Sequence, residues 1–434
     1  MSDFYNEFTN TSQEEWLKKV SQDLKGKNVE DILHHSHPIE NVDFKSYAFP
    51  DDESTHTVPG IAPYTRGGKF NNNDWQIINA VQNSDAKSMN KSALHLLMNG
   101  ATGLRIDLND FNATDLETLF SEIGFEHIVT TFIYHDKSQF EVLNDLGKKY
   151  KKVIGTAINT SEEDFGFISN MRNRLIDGTK VQSTGGNVTH EIAYCLHEGH
   201  NVLHDLMESE GLGIDEAASQ IKFKIGIGGN YFFEIAKLKT LRSLWHNIVN
   251  AYAPEHSCST IAYIEAETGF INKSLKDPNT NLLRQTTEAL SAVIGGVDEL
   301  TVLPYNWKAI NPDLQKTQRL ATNIVLLLKE ESYLDKVIDP SGGAYSQENL
   351  ISALQKNIWE LFLKLEKEGS DSLKKEIQNT ALKRIELIQN KENTLIGINK
   401  YFNYESKQEA WKATQENEFG KELILELECN ITVA

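Results

Sequence analysis

Cysteine is scarce in this chain. Cys195, Cys258 and Cys429 are the only three in 434 residues, they lie far apart, and none forms a CxxC pair. That excludes a disulfide scaffold and fits reduced thiols in a cytoplasmic compartment. Long apolar runs are missing too. No stretch of about 18 apolar residues occurs, so no membrane span is expected. Positive charge is in short supply, with 43 Lys and Arg against 62 Asp and Glu and a net charge of -19. Such a surface repels nucleic acid and anionic membrane, and any phosphate-bearing ligand would need a local basic patch. The opening Met1-Ser2-Asp3-Phe4 is neither a signal peptide nor an Arg-rich transit peptide. GxSxG, a P-loop ending in Gly-Lys-Ser/Thr, low-complexity runs and repeats of 20–50 residues are all absent.

What is present is a core-forming chain, 39% hydrophobic and 24% charged. Its length allows one large barrel with accessory segments. Ser12-Gln13-Glu14-Glu15 is a capping box before an apolar stripe of Trp16, Val20 and Leu24. Residues 26–68 are irregular and rich in Pro, His and Asp, which predicts an extended arm lying on another surface. A β/α rhythm follows. Strands are expected at 75–80, 103–108, 127–134, 153–157, 175–182, 221–225, 259–264 and 299–303, where Val, Ile, Thr and aromatics concentrate. Helices are expected at 187–211, 230–251, 279–294 and 312–334. Thr114 with Glu117 and Ser138 with Glu141 read as further capping boxes. Eight strands, each followed by a helix, is the count of a (β/α)8 TIM barrel, with a doubly wound open sheet as the alternative. From Gln347 the chain reads as purely helical and highly charged. The expected organisation is α/β: an N-terminal helix and extended arm over 1–68, a (β/α)8 barrel over 69–346, and a C-terminal helical tail over 347–434.

Several residues could carry chemistry. His190, His197, His200 and His204 fall near one face of a helix, but His197-Glu198-Gly199-His200 is not HExxH, and a solvated or interface stripe is the simpler reading. Gly226-Ile227-Gly228-Gly229-Asn230 follows a strand and opens a helix. That is the place of a phosphate-cradling loop or of an ordinary barrel turn. Asp339-Pro340-Ser341-Gly342-Gly343 is a turn by composition. Arg66 in Pro63-Tyr64-Thr65-Arg66-Gly67 could fork onto a phosphate or a carboxylate, or sit in a structural ion pair.

Order gives these pieces force. The Pro63–Gly67 motif, Gln182 to Gly186, Glu191-Ile192-Ala193-Tyr194, Phe223-Lys224-Ile225-Gly226-Ile227-Gly228-Gly229-Asn230-Tyr231-Phe232-Phe233-Glu234-Ile235-Ala236-Lys237, Asp277-Pro278-Asn279-Thr280-Asn281 and Asp339–Tyr345 follow one another. Together they resemble the substrate barrel of methylmalonyl-CoA mutase, from about Val58 to Tyr345. The motif positions Tyr64, Arg66, Gly67, Asn230, Glu234, Lys237, Asp339, Gly342 and Gly343 carry that resemblance.

The departures matter as much. The family's catalytic subunit carries a tyrosine after the first motif, whereas the shorter loop Gly68-Lys69-Phe70-Asn71-Asn72-Asn73-Asp74 has none. The positions of the family's catalytic Tyr-His pair hold Thr179 and Lys180. None of the 13 histidines sits in the cobalamin motif DxHxxG, and this radical chemistry needs its cofactor. The resemblance therefore implies a small, non-catalytic subunit. It would have no catalytic, cofactor-binding or metal-binding residues of its own and no cobalamin-binding domain. Adenosylcobalamin, and the interconversion of methylmalonyl-CoA and succinyl-CoA, would belong to a large (alpha) partner subunit in a heterodimer. The rivals are an acyl-CoA-binding regulatory barrel without turnover and the barrel subunit of a related split acyl-CoA mutase.

Overall fold

A computed structural model describes residues 11–49, 57–82, 84–310, 312–403 and 409–429. In the arm, α1 (Gln13–Asp23) and α2 (Val29–Leu33) precede an antiparallel hairpin of β1 (His34–Ser36) and β2 (Asp43–Lys45). The alternating runs then form parallel strands: β3 (Gln76–Val81), β4 (Gly103–Asp107), β5 (Val129–Tyr134), β6 (Gly155–Asn159), β7 (Met171–Arg172), β8 (Arg174–Asp177), β9 (Ile221–Ile227), β10 (Ile264–Thr268) and β11 (Glu299–Thr301). Their order is β7-β6-β5-β4-β3-β11-β10-β9-β8.

Only Asn173 separates β7 from β8, yet β7 pairs with β6 and β8 with β9. The two are halves of one strand position, and the sheet closes there into eight positions, a TIM barrel. Asn173 pins the switch. Its side chain accepts from Ile168 N and donates to Ile168 O, Met171 O and Gln220 Oε1, at 2.9–3.2 Å.

The crossovers use α3 (Ala86–Met98), α4 (Ala113–Phe120) and α5 (Lys137–Lys148). After the closing strand come α6 (Thr179–Ser183), α7 (Val188–Glu208) and α8 (Ile214–Ser219), then α9 (Tyr231–Asn250), α10 (Thr280–Ile294) and α11 (Leu314–Leu326). One expected helix is missing: the 160–170 connection after β6 is a loop. Asn159 and Asp164 there accept from the backbone N–H of Ser161 and Gly166, at 2.9 and 2.8 Å. Such local turns compete with helix formation.

Other boundaries also shift. The strand expected at 175–182 stops at Asp177, whose carboxylate takes Thr179 N and Oγ1 and opens α6. The strand expected at 259–264 runs from Ile264 to Thr268 instead. Asp215 gathers Glu255 N, His256 N and Ser259 Oγ, which holds the Ser-rich stretch in a 3-10 turn. The Ser12 box forms as expected. By contrast, Asn112 rather than Thr114 caps α4, and Asp136 rather than Ser138 caps α5. In both cases a preferred capping residue two positions earlier wins.

After the barrel come α12 (Tyr345–Glu368), α13 (Leu373–Gln389) and α14 (Leu425–Glu428). Leu350, Ile351, Leu354, Ile358, Phe362 and Leu365 of α12 are buried in the main core beside α7 and α9. Each such side chain is worth about 1.5–3 kcal/mol. The tail is not purely helical, because beyond Gln389 it carries loops and a short ladder of β12 (Glu416–Asn417) and β13 (Gly420–Lys421). Part of the arm docks on the chain's own barrel. Ile39 and Val42 are buried, Asn187 Nδ2 donates to Ile39 O at 2.9 Å, and Glu40 accepts from Val188 N at 2.8 Å. The Glu40 carboxylate thus sits where the N-terminus of α7 favours negative charge.

Candidate functional site

The barrel axis is filled with charge. Lys222 on β9 donates to Glu299 on β11 at 2.5 Å and to Thr131 on β5 at 3.1 Å, and lies 2.7 Å from Glu265 on β10. Arg105 on β4 reaches Glu265 at 3.4 Å, and Lys224 pairs with Glu267 at 2.9 Å. Strands β4 and β10, and β5 and β9, are not neighbours in the sheet, so these contacts cross the interior. The side chains of Lys222, Glu265 and Glu299 are 0% exposed. Burial acts to raise the pKa of Glu265, but Lys222, Arg105 and Lys224 outweigh it and hold the carboxyl at about 2. Glu299 moves the other way: burial raises it, Lys222 opposes, and the Glu265 charge adds to the rise.

Barrel interiors of this class are usually layered with branched aliphatic side chains. This polar filling was missed in the sequence. A signal existed in Ile221-Lys222-Phe223-Lys224-Ile225 and Ile264-Glu265-Ala266-Glu267, where like charges recur at every second position and so face one side of each strand, Lys on one and Glu on the other. Above the network, at the C-terminal ends of the strands, a cavity of about 360 Å³ opens between Arg105, Lys224, Glu267, Thr301, Trp307 and Lys308.

A second cavity of about 390 Å³ lies at the same end of the barrel, between the arm, the Gly226–Asn230 turn, the loop after β10, α7 and α13. Its floor is a buried triad. Lys237 contacts Glu191 at 2.9 Å and Glu234 at 2.5 Å, and donates to Gly226 O at 2.6 Å. Gly226 N donates to Glu191 at 2.7 Å. Burial pushes Glu191 up to about 7 against the pull of Lys237, with the nearby Glu234 charge adding to the rise. Burial likewise raises Glu234; on Lys237 burial acts downward, but its two carboxylate neighbours outweigh it and raise the group. The glycine turn therefore faces Glu40, Glu191 and Glu234 together with Lys237, Arg384 and His37, and Lys237 and Arg384 are already engaged by the carboxylates. Asn230 turns toward the arm, 3.0 Å from His37 Nε2.

The remaining motif positions form a separate structural cluster. Arg66 sits 3.7 Å from Asp339 and 3.5 Å from Glu348, and Gly343 N donates to the same Glu348 oxygen at 3.0 Å. Lys239 ion-pairs with Asp339 and donates to Ser341 at 2.8 Å. A Cβ on Gly342 would lie 2.7 Å from Asp339 Oδ2 and 2.8 Å from Arg66 Nη1, so a larger residue there would push the Arg66–Asp339 pair aside. Gly67 takes φ +86°, and Tyr64 is buried, donating to Ser257 O at 3.2 Å.

Comparison with known proteins agrees with this geometry. The methylmalonyl-CoA mutase family model matches residues 37–121 and 157–429. The chain belongs to that family. It is 30% identical to the methylmalonyl-CoA mutase small subunit of Porphyromonas gingivalis, over 92% of this chain and 71% of that one. It is 25% identical to the small subunit of Propionibacterium freudenreichii, over 84% and 64%. It is 26% identical to the Cereibacter sphaeroides methylmalonyl-CoA mutase, over 89% and 64%. The chain thus spans less than two thirds of the last two. A Plasmodium falciparum HPPK-DHPS structure aligns over 80% of this chain and 59% of its own, at 12% identity and a TM-score of 0.29, too remote to inform function.

Thr179 and Lys180, expected from the sequence at the family's Tyr-His positions, point to different places. Thr179 lines the mouth cavity, bound to Asp177. Lys180 turns away from it and pairs with Glu418 at 3.1 Å, on the segment that crosses the mouth. The histidine face is spent on structure. His197 and His200 share Glu366 of α12 at 2.7 and 2.8 Å, His190 lies 3.6 Å from Glu376, and His204 is exposed. Among the described residues no group of three or more His, Cys, Asp or Glu could hold a metal ion, and no helix is long and apolar enough to cross a membrane. Residues 409–428 of the chain lie along the connections that follow β8, β10 and β11 at this end of the barrel.

Proposed function

We propose that this chain is the small, non-catalytic subunit of a heterodimeric methylmalonyl-CoA mutase. A large subunit would hold adenosylcobalamin and interconvert methylmalonyl-CoA and succinyl-CoA. The observation that carries the reading is the Lys222–Glu265–Glu299 network with Arg105. An acyl-CoA threaded along the axis would have to displace buried, mutually paired charges, which costs several kcal/mol. Lys180 adds support. At the position of the family's imidazole it is an ammonium already held by Glu418. The motif clusters around Arg66 and Lys237 act as braces of the barrel, a role that a non-catalytic copy would keep.

Calorimetry tests this. Titrating a CoA ester into the isolated chain should give no saturable heat, while coexpression with a mutase large subunit should yield a stable one-to-one complex on size exclusion. Saturable binding by the isolated chain would favour an acyl-CoA-sensing barrel. Turnover by the chain with a free-standing cobalamin protein would favour a split mutase. Either result sinks the proposal.

A further inference from the structure

The segment after the last long helix contacts one side of the barrel mouth from loop to loop. Near its start, Ile310 N donates to Ala410 O at 2.9 Å and Lys412 N to Lys308 O at 2.6 Å. In its middle, Lys308 Nζ donates to both oxygens of Glu422 at 2.8 and 2.9 Å, and Gln415 N closes on the same carboxylate at 2.9 Å. Further on, Asn417 Nδ2 donates to Lys180 O at 3.1 Å, and Leu423 N to Ser183 O at 2.8 Å. Phe419 is buried edge-on against Tyr194, with ring centroids 5.1 Å apart. At its end, Leu425 N donates to Ile271 O at 3.1 Å, and Glu426 accepts from Leu275 N, Lys276 N and Trp411 Nε1 at 3.0, 3.3 and 2.9 Å.

These partners lie in the loops that follow β8, β10 and β11. Lys308, Gln415 and Glu422 also line the mouth cavity above Arg105, Lys224 and Thr301. The C-terminal ends of the strands are where barrels of this class receive ligands. The Lys308–Glu422 pair is nearly buried, with side chains 13% and 10% exposed, whereas Lys180 and Glu418 are each 44% exposed.

We infer that residues 409–428 are a plug that the chain folds over its own barrel mouth. The plug closes the cavity to bulky solutes and denies this face to another domain. Lys308–Glu422 is its inner latch and Lys180–Glu418 its outer one. The inference needs only the chain's own contacts, and it stands whether or not the subunit role does.

Thiol labelling tests it. Thr301 lines the cavity and is buried, while Cys195 and Cys429 are buried and Cys258 is exposed. In a Cys258→Ser background, Thr301→Cys should resist a bulky maleimide. Adding Glu418→Gln and Glu422→Gln should speed its labelling at least tenfold, with Cys195 still protected. Labelling of Thr301→Cys in the latched chain as fast as natural Cys258 would overturn the plug. So would an unchanged rate in the unlatched chain. Should Cys195 also label, showing that the variant has unfolded, hydrogen exchange on the unsubstituted chain decides. Slow exchange of the Lys412, Leu423 and Leu425 amides supports the plug, and exchange at unstructured-chain rates overturns it.

Discussion

Lys222→Met should destabilise the full chain by about 3–5 kcal/mol at pH 7, the cost of leaving buried charges without their partner. Among the described residues Lys222 is the only ammonium in contact with both Glu265 and Glu299, and all three side chains are out of solvent. Methionine nearly matches its volume, so a cavity is not the cause of the loss. The pH dependence identifies the mechanism. Glu265 is held well below its ordinary value. A depressed carboxyl stabilises the fold above its unfolded pKa and loses that contribution as pH falls toward the folded one. In the wild type the contribution therefore persists down to about pH 4.5 and fades between there and about 2. In the variant, Glu265 loses its main counter-charge and takes up a proton on folding more readily. The gap between the two denaturation midpoints should then narrow from pH 7 to pH 5. Adding Glu265→Gln and Glu299→Gln to Lys222→Met should recover part of the loss. A Lys222→Met midpoint equivalent to less than about 1 kcal/mol from wild type would show that the network does not hold the barrel as described.

The triad under the second cavity has the opposite sign. Glu191 is raised from 4.5 to about 7 by burial and by Glu234, so the folded state binds its proton more tightly than the unfolded chain does. That contribution is complete below about pH 4.5 and disappears as pH rises to about 7. The limit is about 3 kcal/mol, at about 1.4 kcal/mol for each tenfold gain in proton affinity. Lys237 remains an ammonium throughout, because its two carboxylate neighbours raise it further. Chemical denaturation of the wild type should therefore weaken by about 2–3 kcal/mol more between pH 5 and pH 8 than that of Glu191→Gln. The glutamine keeps an oxygen for Gly226 N but has no proton to release. Parallel pH profiles for the two proteins would mean that Glu191 does not titrate in this window.

The resemblance singled out Glu234 and Lys237 but not Lys222, Glu265 or Glu299, and it gave Glu191 no buried partner; the reason is local chemistry. In the sequence Glu191 is one more acidic residue in a stretch shared with the family. Its burial depends on α7, α9 and the Gly226 turn meeting at one point. The strand at 264–268 is displaced in the sequence pattern because Glu265 and Glu267 look solvent-facing until a barrel closes around them. The capping residues Asn112 and Asp136 compete with hydroxyl-plus-Glu patterns two positions later. Those patterns are equally valid locally but incompatible with where the preceding strands end.

Apolar runs and turn residues pointed to an α/β barrel of eight strand positions, with a doubly wound sheet as the rival, and the order of short motifs carried the resemblance to the methylmalonyl-CoA mutase family. The strand and turn signals are short-range, and the motifs add only their order along the chain. Closure decided the rest. It set Lys222 against Glu265 and Glu299 across the axis, turned Lys180 outward to Glu418, laid the arm's Glu40 on the N-terminus of α7, and brought residues 409–428 over the mouth. Those partners are up to about 240 residues apart in the chain. No periodicity links them, and only the folded backbone gives each buried charge its counter-charge.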